Sequence, residues 1–186
     1  MLLLRYSSTI FFCVALGVSN ATAQILPVSI GLTSPDAEVE GHFGQSVSGA
    51  GDVNGDGFAD IIVGAPNEDP GSAPDGAGRA YIYSGDGGEL IYAFTSPNEQ
   101  LQGAFGWSVS SAGDVNDDGF ADVIVGAWNE SPGMSPDSAG RAYVYSGATG
   151  ATLYTLTSPN EEQGGAFGYA VSEVGDVDGD DISDLV

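Results

Sequence analysis

Lysine is missing from this chain, and arginine occurs only at Arg5, Arg79 and Arg141. A surface so poor in positive charge cannot neutralise phosphates, which excludes nucleic acid and anionic membrane surfaces as partners. Cysteine is almost as scarce: Cys13 stands alone, so no intramolecular disulfide can form and another staple has to serve. The single histidine, His42, has alanine at the two related positions Ala104 and Ala166, which reads as a surface residue rather than a general base. No G-x-S-x-G segment is present, and helical periodicity is absent. These gaps argue against catalysis and against any helical class.

Acid is what the chain has in excess, with 26 Asp and Glu against 3 Lys and Arg and a net charge of −23. None of the acids precedes Asp36. The N-terminus instead carries Arg5, an apolar stretch over residues 10–18, and Ala21-Thr22-Ala23 before Gln24. That order reads as a secretory signal over residues 1–23 followed by a short linker at 24–27, and the apolar part is too short to span a bilayer. The expected location is therefore secreted, extracellular or cell-surface. A lipoprotein signal would need its cysteine at the cleavage point, and Cys13 lies well before it. Loss of Arg5 leaves 26 acids against two arginines, a charge of −24 whose self-repulsion weakens a metal-free fold.

The acids are ordered. Loops beginning at Asp52, Asp114 and Asp176 recur at an interval of 62 residues, and Phe43-Gly44, Phe105-Gly106 and Phe167-Gly168 keep the same interval. In the first loop Asp52, Asn54, Asp56 and Asp60 fill positions 1, 3, 5 and 9, and Phe58 offers its backbone carbonyl at position 7. The second places Asp114, Asn116, Asp118, Phe120 and Asp122 in the same way, and the third Asp176, Asp178, Asp180, Ile182 and Asp184. Alternating oxygen donors around a turn glycine suit a hard divalent cation, so Ca²⁺ is the expected occupant. Asp, Asn and Gly also make ordinary turns, but three repetitions at one spacing favour the cation. In the third loop Asp181 replaces the turn glycine found at Gly57 and Gly119, which weakens that site. An EF-hand is excluded by Val63 and Val125 at position 12, where a bidentate Glu is required. A nonapeptide calcium roll is excluded by the period.

Between loops each unit reads as four short strands. Residues 59–65 are nearly continuous in apolar residues, residues 66–78 are rich in Pro, Gly and Asp, and Arg79 to Tyr83 and Leu90 to Phe94 flank a glycine turn. Four-stranded units repeated without helices predict an all-β fold, a β-propeller of antiparallel blades. The expected organisation is residues 28–42 as the last strand of a preceding or closing blade, 43–104 as repeat 1, 105–166 as repeat 2 and 167–186 as a truncated third. Two blades cannot close a ring. Missing blades or a partner chain are expected to complete it, and the sequence reads as a fragment.

Phe43-Gly44, the loop from Asp52 to Asp60, and Gly64-Ala65-Pro66 together resemble the FG-GAP repeat, found in the seven-bladed propeller of integrin α subunits and in bacterial secreted proteins. The resemblance covers nearly all of residues 28–186 and departs at Trp128, where the family has proline. It implies calcium at the positions named and, in adhesive members, a protein ligand. Loops on the blade end opposite the calcium loops are the expected binding face, with Trp128 and Glu130 as candidates for contact with a protein or glycan ligand, cell-surface ones included. Arg79 and Arg141 are expected to form structural ion pairs. The alternative function is an accessory propeller of an exported hydrolase whose catalytic part lies beyond Val186.

Overall fold

The computed structural model describes residues 9–14, 28–69, 75–131, 133 and 137–186. The cleavage motif at Ala21 to Ala23 and the linker at 24–27 lie outside these residues, as do parts of the two Pro/Gly-rich loops.

The named elements are all strands. The first complete blade is β3 (Ser46–Gly51), β4 (Asp60–Ala65), β5 (Arg79–Tyr83) and β6 (Leu90–Thr95), in that spatial order and antiparallel throughout. The second repeats it with β7 (Ser108–Gly113), β8 (Asp122–Ala127), β9 (Arg141–Tyr145) and β10 (Thr152–Leu156). Registers coincide: Ile61 faces Tyr83 in one blade, and Val123 faces Tyr145 in the other. Strands β11 (Glu173–Gly175) and β12 (Asp184–Leu185) begin a third sheet.

At the N-terminal end β2 (Val28–Thr33) pairs antiparallel with β1 (Thr9–Val14), a segment the sequence assigns to the leader. An unpaired strand edge exposes a row of backbone donors and acceptors, and β1 satisfies the row on β2. Thr33 accepts a hydrogen bond from the Tyr83 hydroxyl at 2.9 Å, and Thr95 at the end of β6 accepts one from Tyr145 at 3.0 Å. In this contact β2 stands to the first blade as β6 stands to the second.

Strand alternation sorts the blade faces. On β5 the residues Tyr81 and Tyr83 turn toward Leu32 and Phe43, whereas Ala80 and Ile82 turn toward the second blade. On β9 Tyr143 and Tyr145 face the first blade, and Ala142 and Val144 face the third sheet. Each blade therefore sets a tyrosine-bearing face against the smaller aliphatic face of its predecessor. The wedge between them is Phe105, fully buried, with ring centroids 5.9 Å from Tyr143 and 6.0 Å from Tyr145. Phe43 repeats this against Tyr81 at 5.8 Å and Tyr83 at 6.1 Å.

Backbone also crosses the seam. Phe105 forms a parallel bridge to Gly78, and Phe167 forms one to Gly140. A Cβ on Gly64 would lie 1.9 Å from the Gly106 carbonyl oxygen, and one on Gly126 would lie 2.0 Å from that of Gly168. Glycine is needed there because the next repeat's Phe-Gly pair lies directly on the strand.

Candidate metal centres

Each acidic loop joins the first two strands of its sheet, where the pairing register shifts by a residue. Gly51, Gly113 and Gly175 sit at these bulges with φ of 73°, 68° and 71° and turn the chain into the loop. Positions 4 and 6 are left-handed as well, through Gly55 and Gly57 in the first loop, Asp117 and Gly119 in the second, and Gly179 and Asp181 in the third. The substitution of Asp181 for glycine thus leaves the turn intact, with φ of 68°. Asp is among the few side chains that enter this region at modest cost.

The position 1 carboxylate organises the loop. Asp52 Oδ1 accepts the N–H groups of Gly55 at 2.7 Å and Asp56 at 3.1 Å, and its Oδ2 accepts that of Gly57 at 2.9 Å. Asp114 accepts from Asp118 and Gly119, and Asp176 from Gly179, Asp180 and Asp181. The N–H of Gly179 beside Asp176 is the main cause holding that carboxyl below its ordinary range. At position 3, Asn54 Oδ1 accepts the Asp56 N–H at 2.8 Å, and Asn116 Oδ1 accepts that of Asp118 at 3.0 Å. Position 5 accepts the N–H of position 7: Asp56 from Phe58, Asp118 from Phe120 and Asp180 from Ile182. The Phe58 N–H is likewise the leading reason that Asp56 is shifted down.

Position 9 differs in kind. Asp60 and Asp122 are buried, and each bridges two parts of its blade. Asp60 accepts from Val53 in the loop at 2.9 Å and from Gly85 in the β5–β6 turn at 3.0 Å; Asp122 does the same with Val115 and Gly147. Burial pushes both carboxyls up, and the negative neighbours at positions 5 and 1 push the same way. In the third loop carboxylate oxygens of Asp176, Asp178 and Asp184 lie within 4.8 Å of one another. A desolvated carboxylate facing two more anions fits a hard cation, and the oxygen-only donor set fits one of calcium's type.

At the other end of the blade the candidates separate. Glu130 is not a surface residue: it is wholly buried, and Tyr143 donates its hydroxyl to it. Gly103 leaves it room, since a Cβ there would come within 3.1 Å of Glu130 Cγ. The expectation that Glu130 meets a ligand is thereby corrected; its side chain lies inside, where the β9 tyrosine supplies a buried donor. Glu68 and Tyr81 form the same pair in the first blade at 2.5 Å. Burial pushes both glutamates above the ordinary carboxyl range. These pairs escaped sequence reading, although Asn67-Glu68 and Asn129-Glu130 keep the repeat interval and were the available signal.

Trp128 is half-buried and packs edge-on against Trp107 at 5.7 Å and Tyr169 at 5.9 Å. It lines a cleft of about 510 Å³ together with Glu38, Asp69, Gln102 and Asn129. Arg79 pairs with Asp36 at 2.8 Å. His42 takes φ of 57°, as do Ala104 at 57° and Ala166 at 54°, so its position serves the link before each Phe-Gly pair.

A family profile described as "FG-GAP repeat" matches residues 43–83 and 105–145, one complete three-strand core in each blade. This is an FG-GAP repeat protein. Among curated proteins the chain is similar to integrin alpha-4 of Xenopus laevis, with 33% identity over 154 residues, and to integrin alpha-7 of Rattus norvegicus, with 36% over 159. Each alignment covers 77% of this chain but only 14% and 12% of those relatives. Integrin alpha-E of Mus musculus is 42% identical over 95 residues, 46% of this chain and 8% of that protein. The FG-GAP repeat protein thus spans about a seventh of its curated relatives or less.

Proposed function

We propose that this FG-GAP repeat protein is a secreted, calcium-binding β-propeller module that binds a protein or glycan ligand in adhesion and catalyses nothing. The observation that carries the calcium reading is the buried pair Asp60 and Asp122, each directed into an acidic loop with its carboxyl raised by burial and by like charge. Asp52, Asn54, Asp56 and Asp60 would hold the ion of the first loop, with the Phe58 carbonyl at position 7. Asp114, Asn116, Asp118, Phe120 and Asp122 would serve the second, and Asp176, Asp178, Asp180, Ile182 and Asp184 the third. Calcium supplies two positive charges at the points where the carboxylates are densest.

The chain's own residues do the rest. Asp60 and Asp122 join each loop to the next turn, so neutralising a loop stiffens the blade around it. The adhesive reading is supported by the names of the relatives, integrin alpha proteins, and by the half-buried Trp128 in its cleft at the opposite end. Missing blades or a partner chain would complete the ring, and the leader at residues 1–23 would direct export.

Calorimetric titration of calcium into chelator-treated protein, with thermal unfolding at both end points, tests the reading. Saturable binding of two or three ions with a rise in Tm is the expected result; at a hundredfold excess over Kd one site alone adds about 2.7 kcal/mol. A folded sample that binds no calcium sinks it.

A further inference from the structure

We propose that Asn54-Gly55 is a self-modification site that converts while the first loop is free of metal; its control by calcium rests on the function proposed above. This is the only Asn-Gly step in the chain, it is exposed, and it occupies positions 3 and 4 of the loop. A backbone nitrogen can attack the side-chain carbonyl carbon of the preceding asparagine, and glycine offers the least steric hindrance to that approach. The bond from Gly55 N to Asn54 Cγ forms, the Cγ–Nδ2 bond breaks, and ammonia leaves with the proton from Gly55. Water then opens the five-membered imide at either carbonyl, leaving aspartate or its β-linked isomer at position 54.

The loop both assists and restrains the step. Gly55 N–H points at Asp52 Oδ1, 2.7 Å away, so a carboxylate already sits on the proton that the nitrogen sheds. The Asn54 amide, however, is pinned: its Oδ1 accepts the Asp56 N–H at 2.8 Å, and its Nδ2 donates to Asp56 Oδ2 at 2.9 Å. Reaction requires the amide to leave these partners. A cation held by the Asn54 oxygen and the Asp52 carboxylate would fix the amide and occupy the base together.

The other copies serve as internal comparisons. In the second loop Asn116 is followed by Asp117, whose side chain hinders attack; the third carries Asp178-Gly179, already the residue that the reaction yields. The direct product therefore gives the first loop the acid set of the third. The β-linked product inserts a methylene into the backbone and displaces the N–H groups of Gly55 and Asp56 from Asp52.

The test incubates the folded chain at mildly alkaline pH with calcium or with chelator and follows residues 54 and 116 by peptide-mapping mass spectrometry and isoaspartate assay. Conversion at Asn54 and not at Asn116, several-fold faster in chelator, is expected. An Asn54 that stays intact in chelator while an unstructured peptide of the same local sequence converts overturns the site. Equal rates in both arms, with calcium binding seen by calorimetry, overturn the control and leave the calcium reading standing. Conversion at equal rates with no calcium bound overturns the calcium reading and leaves the site.

Discussion

Replacing Phe105 by alanine tests whether the Phe-Gly pair holds the blades together. The ring is fully buried between two tyrosines of β9, and its backbone bridges Gly78 of the blade before. Truncating a buried phenylalanine loses its transfer free energy and leaves a cavity that a bridged backbone cannot collapse, a cost of roughly 4 kcal/mol. At about 3 °C per kcal/mol for a chain of this size, Tm falls by roughly 12 °C. Phe58→Ala is the matched control, because that ring is 53% exposed on its loop and its loss costs less than about 1 kcal/mol. Both variants are unfolded by heat and by urea at saturating calcium, so that ligand mass action is the same in each. A Phe105→Ala loss no larger than that of Phe58→Ala would refute the seam as a source of stability.

Two further outcomes follow from the same geometry. The Gly64→Ala variant drives a Cβ into the Gly106 carbonyl oxygen and is expected to lose several kcal/mol or fail to fold, whereas Gly57→Ala meets open space and loses only about 1 kcal/mol to its φ of 89°; urea midpoints that rank the other way sink the argument. Glu68 and Glu130 titrate higher when folded than when unfolded, so the fold binds more protons between those two values, and their contribution to stability declines as pH rises above the ordinary carboxyl range. Glu68→Gln with Glu130→Gln therefore removes a downward slope relative to the parent, read from urea midpoints at several pH values, and parallel pH profiles contradict it.

The acidic loops were legible because their chemistry is local. Asp52, Asn54 and Asp56 act within a few residues, so spacing alone marks a tight acidic turn closed on its own N–H groups, and the interval to Asp114 and Asp176 announces the repeated blade. Strands β4, β5, β8 and β9 were equally plain from short apolar runs between turn residues. Glu130 was misread for the opposite reason. An acid in a polar loop looks exposed until the Tyr143 hydroxyl meets it from a strand 13 residues away and the link at Gly103 closes over it.

By itself the sequence determined the all-β class, the repeat, the place of the acidic loops between strands and the scarcity of basic residues and cysteine, all properties of residue type and spacing. Only the tertiary structure decided that Phe105 wedges the seam, that Asp60 ties its loop to Gly85, that Trp128 packs with Trp107 and Tyr169, and that Glu68 and Glu130 lie inside. Each of these depends on which backbone comes to lie against which, and burial and close approach across blades leave no mark on local spacing.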